Sequence, residues 1–369
     1  PDLGPSALGE DKLDVTFKVE EQNRNQFTFG GGVSGLEGVF LNASFQTTNF
    51  LGLGETVSAA AQRGARSRNY QLAVTEPYFL DRAITAGFDL FRREITYQSY
   101  AGFVGFSQWN QGFAVTSGLP VGRFSRAFAS YSYQVIDIFG VDPSAAGDGG
   151  DSGGSTPRPP ALEPGRRFES QLTPSWVRNT VDNPFLPRSG KRLTASVQFV
   201  GGPLGGTVNY WRPTLEAVYY RPFGRKMALG LRAEGSYIRP FGSTTEIPYY
   251  QRFFLGGETQ IRGYDVRSVA PFDAAANTAL GGNKYALFNA EYYLDLGGPL
   301  RLLAFFDAGE AYLEGHGFNW RTLRTSTGAE LRFLMPVLNV PFRLIYAVNA
   351  NRDYFQPPTA FKFAVGTTF

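Results

Sequence analysis

From about residue 27 onward, apolar and polar residues alternate in run after run, with turn residues between the runs and no convincing helix. A period of two places successive side chains on opposite faces of a strand. In 229–237, Leu229, Leu231, Ala233, Gly235 and Tyr237 alternate with Gly230, Arg232, Glu234 and Ser236. In 192–199, Leu193, Ala195, Val197 and Phe199 alternate with Arg192, Thr194, Ser196 and Gln198. In 325–333, Thr325, Thr327, Ala329, Leu331 and Phe333 face away from Ser326, Gly328, Glu330 and Arg332. Two architectures satisfy this pattern. A soluble sandwich hides the apolar face between its sheets. A membrane barrel turns that face to lipid and lines its lumen with the polar one.

Three features choose the barrel. Many runs span ten residues or more, as a tilted membrane strand requires. Aromatic pairs sit near run ends (Tyr78-Phe79, Tyr219-Tyr220, Tyr249-Tyr250 and Tyr292-Tyr293), where interface girdles would lie. Short turns such as Leu80-Asp81-Arg82 and Gly297-Gly298-Pro299 contrast with long polar connections. The longest, 140–165, is rich in Gly, Ser, Asp and Pro and reads as a disordered loop. The expected fold is therefore all-β: a transmembrane antiparallel β-barrel of about 16 strands with a long loop folded into the lumen. The strands are placed at 27–35, 54–64, 68–78, 83–96, 104–118, 124–139, 167–179, 190–200, 207–222, 226–239, 249–256, 283–296, 299–313, 323–335, 341–352 and 359–369. Residues 37–52 fit poorly and read as an extra hairpin or an inward fold.

Composition narrows the function classes. No run of about 18 apolar residues exists, and mean hydropathy is −0.20, so a transmembrane helix is not expected. The net charge is +3 and the basic residues are scattered, which does not suggest nucleic acid. With no cysteine, a disulfide framework, a zinc–thiolate site and a thiol nucleophile are excluded. The start, Pro1-Asp2, lacks a charged-then-apolar leader, so a signal peptide is absent or already removed. Residues 12–20 alternate strictly and form one strand, which reads as the tail of an upstream module. The division is 1–24 for that remnant and 25–369 for the barrel.

Within this frame one loop stands out. Gly256 and Gly257 allow a turn that no Cβ would fit, and Ile261, Arg262, Gly263 and Tyr264 follow. An arginine fork on such a loop needs carboxylates, or it stays in water. Parity supplies two. Ala286, Phe288, Ala290, Tyr292 and Leu294 would face lipid, so Asn289 and Glu291 point inward. Leu300, Leu302, Ala304, Phe306 and Ala308 would do likewise, so Arg301 and Asp307 point inward. Glu291 and Asp307 are the candidate partners of Arg262. The alternative is a chance Arg-Gly-Tyr among ordinary lumen charges. The first strand carries the run Gly30-Gly31-Gly32, which reads equally as a weak ladder or as a turn or close packing against the inserted loop. The one histidine, His316, lies in a turn-like Glu-Gly-His-Gly segment, so an enzyme is not expected.

Gly256-Gly257-x-x-x-Ile261-Arg262-Gly263-Tyr264 resembles the loop motif of the BamA family of outer-membrane insertases and their two-partner-secretion relatives. Phe306-Asp307-Ala308-Gly309 and Asn289-Ala290-Glu291 resemble the wall motifs that receive that arginine. Asn49-Phe50-Leu51-Gly52-x-Gly54 and Glu76-Pro77-Tyr78-Phe79 are similar to the family's early-barrel motifs, and Phe361–Phe369 to its terminal strand. Residue 261 is Ile where valine is usual, and the POTRA domains are missing. The resemblance implies a bacterial outer-membrane protein that folds and inserts β-barrel clients. It implies a lateral seam between the first strand (Phe29, Gly30, Gly31, Gly32) and the last (Gly366, Phe369), and makes 12–20 the end of a POTRA domain. Unfolded barrel clients, outer-membrane lipid and accessory periplasmic lipoproteins would be its partners, with no cofactor and no metal. Three alternatives stand beside it: a two-partner-secretion transporter, a TamA-like helper and a passive porin.

Overall fold

Among the described residues, 16 antiparallel strands of seven residues or more, with the two-residue strand Arg239–Pro240 beside them, close into one barrel. The structure is a computed structural model that describes residues 2–5, 13–16, 23–99, 102–141, 162, 164–273, 278–335, 340–353 and 355–365. The first eight strands are β1 (Asn25–Ser34), β2 (Gly38–Phe50), β3 (Glu55–Gly64), β4 (Ser67–Glu76), β5 (Thr85–Tyr97), β6 (Phe106–Gly122), β7 (Ser125–Phe139) and β8 (Gly165–Asn179). The second eight are β9 (Gly190–Val200), β10 (Tyr210–Phe223), β11 (Met227–Tyr237), β12 (Lys284–Gly297), β13 (Leu300–Tyr312), β14 (Arg324–Met335), β15 (Val340–Asn349) and β16 (Thr359–Val365). β16 lies beside β1 and closes the ring. Closure removes the unpaired edges that an open sheet would present to lipid.

The pleat decides which side chains enter the lumen. In β13, Leu300, Leu302, Ala304 and Phe306 are exposed on the outer wall, while Arg301, Leu303, Phe305 and Asp307 are buried on the inner one. β12 behaves the same way, with Leu287, Asn289, Glu291 and Tyr293 buried inside. Phe27 and Phe29 of β1 are exposed outward. An apolar exterior with a buried charged interior inverts a water-soluble protein, and lipid is the solvent that stabilises it. No helix among the described residues is long and apolar enough to cross a membrane.

Residues 238–283 connect β11 to β12 and turn into the lumen, where Ile261, Arg262 and Tyr264 are fully buried. The strand expected at 249–256 is therefore corrected: Tyr249–Gln251 is a 3-10 turn within this inserted loop. Its residues are apolar because they pack inside the barrel, in a cluster with Phe103, Phe106, Ile136 and Ile138. The segment 37–52 is corrected in the opposite sense, since Gly38–Phe50 forms the regular strand β2. The two errors cancel in the count. Of the aromatic pairs, Tyr78, Phe79, Tyr219 and Tyr292 are exposed, whereas Tyr220, Tyr249 and Tyr293 are buried inside and form no girdle.

Gly30, Gly31 and Gly32 lie in an unbroken ladder opposite Asn42, Leu41 and Phe40, so the turn alternative is overturned. A Cβ on Gly31 would sit 2.8 Å from Leu41 Cδ2, and one on Gly32 would sit 2.9 Å from both Phe40 Cζ and Val365 Cγ2. The close packing is against the neighbouring strands β2 and β16, not the inserted loop. At the N-terminus, Leu13–Thr16 pairs with Asp2–Pro5 in a separate two-stranded sheet, and the rest of the expected strand at 12–20 lies outside the described residues. Gly366, Phe369 and most of the 140–165 loop also lie outside them.

Candidate functional site

The inserted loop turns on glycines that no other residue could replace without strain. Gly256, Gly257 and Gly263 have φ of +110°, +98° and +93°, in the left-handed region. A Cβ on Gly256 would run into the carbonyl oxygen of Asp265, and one on Gly263 would lie 2.8 Å from Ala347 Cβ. Between them the loop holds Ile261 against Leu255, Tyr285 and Leu287, and aims Arg262 at the wall of β12, β13 and β14.

Arg262 meets three carboxylates. Its Nε and Nη2 donate to the two oxygens of Asp307 at 2.8 and 2.6 Å, a bidentate fork. Its Nη1 donates to Glu291 Oε1 at 2.6 Å and to Glu330 Oε2 at 3.1 Å. Its own backbone N–H donates to Asp307 at 3.0 Å. The guanidinium also lies over the ring of Phe305, 3.8 Å from the centroid. All four charged side chains are fully buried.

Two further arginines balance the charge. Arg332 donates to Glu291 at 2.8 Å and also pairs with Glu330, while Arg343 donates to both oxygens of Glu330 at 2.7 and 2.8 Å. Three guanidinium groups thus face three carboxylates, and the cluster is neutral as a whole. Asn289 donates to Asp307 at 2.8 Å, and the Tyr293 hydroxyl donates to Glu291. Burial by itself would push the Arg262 guanidinium toward its neutral form. The charges of Asp307 and Glu291 outweigh that and hold it protonated, well above its ordinary range.

The wall also grips the loop by its backbone. The carbonyls of Glu258, Thr259, Gln260, Gly263 and Tyr264 accept hydrogen bonds from Arg343, Arg232, Asn289, Asn349 and Lys362 in turn. The Tyr264 hydroxyl donates to the carbonyl of Asn351 at 2.7 Å. Two other anchors hold the loop elsewhere. Tyr250 and Gln251 donate to the buried carboxylate of Glu169 on β8, each at 3.0 Å. Arg267, at φ +63°, places its guanidinium over Phe254 at 4.0 Å and Tyr97 at 4.5 Å.

The structure brings Gly256, Gly257, Ile261, Arg262, Gly263, Tyr264, Glu291 and Asp307 into one site. Sequence reasoning did not name Glu330, Arg332 or Arg343 as partners in it, whereas Asn289 was read as pointing inward in a wall motif and does bind Asp307. The available signal was charge at inward positions: Glu330 and Arg332 alternate with Ala329, Leu331 and Phe333. His316 is exposed, with its ring nitrogen 3.4 Å from the carbonyl of Glu314 in its own loop. Among the described residues no group of acidic, histidine or cysteine side chains could hold a metal ion. The buried cluster holds the loop by ion pairs and hydrogen bonds, which is what a clamp does.

A lipid-facing 16-strand barrel with an inward loop held by a buried arginine defines a class of outer-membrane-type barrel. The Omp85 superfamily domain matches residues 49–369, and the chain belongs to that superfamily. It is 28% identical over 365 residues to the outer membrane protein assembly factor BamA of Nitratidesulfovibrio vulgaris, covering 98% of this chain and 44% of that protein. It is 23% identical to the assembly factor BamA of Neisseria meningitidis serogroup B, covering 100% of this chain and 50% of that one. The chain therefore spans about half the length of these relatives, or less. In fold it is similar to BamA from Haemophilus ducreyi lacking POTRA domains 1-3, with a TM-score of 0.77, 19% identity, and coverage of 99% and 73% of the two chains. CdiB from Escherichia coli shares the fold at a TM-score of 0.64, with 13% identity and coverage of 99% and 66%.

Proposed function

We propose that this chain is the membrane barrel of an outer-membrane protein assembly factor, which folds and inserts other β-barrels through the seam between β1 and β16. One observation carries the proposal. On the β1 side the seam presents backbone where other strands present side chains: at Gly32 a methyl would already sit 2.9 Å from Val365 of β16. Glycine in a strand contributes little packing and loses more entropy on ordering, so this ladder parts more readily than its neighbours.

Parting exposes a row of N–H and C=O groups to lipid, where each unpaired group costs several kcal/mol. A client strand that adds to the edge satisfies them, in the manner of β-augmentation. No covalent bond changes and no cofactor takes part. The clamp on Arg262 would keep the lumen filled, so that the barrel wall can open at one line without collapsing inward. The outer membrane would be the location, and the sheet formed by Asp2–Pro5 and Leu13–Thr16 would be the end of a periplasmic POTRA domain. Accessory lipoproteins on the periplasmic side would complete the machine.

The test is depletion of the full-length protein in its host, followed by a census of outer-membrane proteins. Loss of many unrelated barrels supports the assembly factor. Loss of one secreted product, with the barrels intact, would assign the chain to secretion instead. A steady open conductance from the purified protein would point to a passive porin.

A further inference from the structure

We propose that Lys362 is a positioning residue that ties the last strand, β16, to the inserted loop and through it to the buried clamp. Lys362 points inward from β16, between the outward-facing Phe361 and Phe363. Its Nζ donates to the Tyr264 carbonyl at 2.7 Å and to Asp265 Oδ1 at 3.0 Å. Tyr264 lies two residues beyond Arg262, so the grip on β16 is referred directly to the buried clamp. Gln356, in the turn before β16, adds a hydrogen bond to the Ser268 carbonyl at 2.8 Å. The loop is thereby fastened to β12, β13, β14, β15 and β16 by hydrogen bonds, most of them charge-assisted.

The other side of the seam is held differently. Among the described residues, no hydrogen bond or ion pair joins loop residues 256–268 to β1 or to the turn that follows it. The contact there is packing: a Cβ on Gly35 would lie 2.7 Å from Glu258 Oε1 and 2.8 Å from Val266 Cγ2. A cavity of about 600 Å³ adjoins this contact, lined by Val33, Ser34, Glu258, Asp265 and Lys362 among others. Packing across a cavity is lost over a fraction of an ångström, whereas the Lys362 contacts survive small displacements. When the ring parts, the Lys362 contacts keep β16 with the loop. Its bearing on client entry rests on the proposed function.

The test uses the full-length protein in phospholipid vesicles and the variants Lys362→Met and Lys362→Arg. Amide hydrogen exchange is read in peptides covering 25–34, 300–312 and 359–365. The methionine variant should exchange about five- to tenfold faster in 359–365, with 300–312 unchanged, and arginine should restore protection. Asp265→Asn should have a smaller effect, since the Tyr264 carbonyl still holds the lysine. Exchange in 359–365 at the wild-type rate would overturn the proposal. So would a rise shared by every strand, or an arginine variant that behaves like methionine. The same vesicles are then given an unfolded barrel client. A changed rate of assembly in Lys362→Met, restored by arginine, supports a role in client entry, and an unchanged rate removes that role. If the wild-type protein assembles no client, the proposed function fails, while the exchange data still decide whether Lys362 holds β16.

Discussion

Replacing Arg262 by alanine should free the inserted loop while leaving the barrel standing. The magnitude follows from what the substitution leaves behind. Glu291 and Glu330 keep Arg332 and Arg343 as partners. Asp307 keeps only Asn289 and the backbone N–H of residue 262 among the contacts described. One buried carboxylate loses its counter-charge, and a three-against-three cluster becomes negative by one. Removing one partner of a buried pair typically costs about 3–5 kcal/mol. Water entering the lumen would soften this toward the lower figure. A loss of about 3 kcal/mol raises the population of the open loop roughly a hundredfold. The ladder of 16 strands does not pass through Arg262, so the barrel should still form. Limited proteolysis in vesicles reads the result: faster cleavage within 257–282, with the strands protected. Wild-type protection of 257–282 in that variant would refute the clamp, and general loss of protection would show that Arg262 holds the barrel and not the loop.

Three more outcomes are expected. Gly263→Ala should unseat the loop, because φ is +93° and the new methyl runs into Asn349 Oδ1, whereas Gly315→Ala, with φ +82° and nothing within 4 Å, should cost only about 1 kcal/mol of backbone strain. Hydrogen exchange of the loop peptides separates the two. Glu330→Gln removes the negative charge shared by Arg262, Arg332 and Arg343 and sets an amide N–H2 among their donors, and should destabilise the clamp by about 3 kcal/mol, measured as faster exchange in 258–266. Glu169→Gln sets an amide N–H2 among the donors Tyr250, Gln251 and Gln134, and should loosen 249–256 by about 1–3 kcal/mol while 258–266 keeps its protection.

How far the sequence carries can be seen residue by residue. Inward and outward positions on β12 and β13 were legible, since lipid enforces a period of two on every strand. Glu291 and Asp307 follow from that period and from their place directly after the loop. The segment 249–256 was not legible. A loop packed inside a barrel needs apolar residues for the same reason that a strand facing lipid does, and a short apolar run does not reveal which solvent it avoids. Gly38–Phe50 failed in the reverse way, because Asn42, Ser44 and Gln46 occupy inward positions beside small Ala43 and blur the contrast. Glu330 and Arg343 were missed as partners because lumen charges are common, and only the closed register sets β14 and β15 beside the fork of Arg262. The grip on the loop's carbonyls left no trace in the sequence at all, since backbone acceptors are the same at every residue.

A double-mutant cycle on Arg262→Met and Asp307→Asn, read by exchange of the loop amides in vesicles, bears most directly on whether the buried fork holds the loop. Coupling of about 2–3 kcal/mol between the two substitutions is expected, because both break the same fork: methionine removes its donors, and asparagine removes its negative charge and one of its two acceptor oxygens. Strictly additive effects would contradict the account, for they would mean that arginine and aspartate act independently and that something else keeps the loop in the lumen.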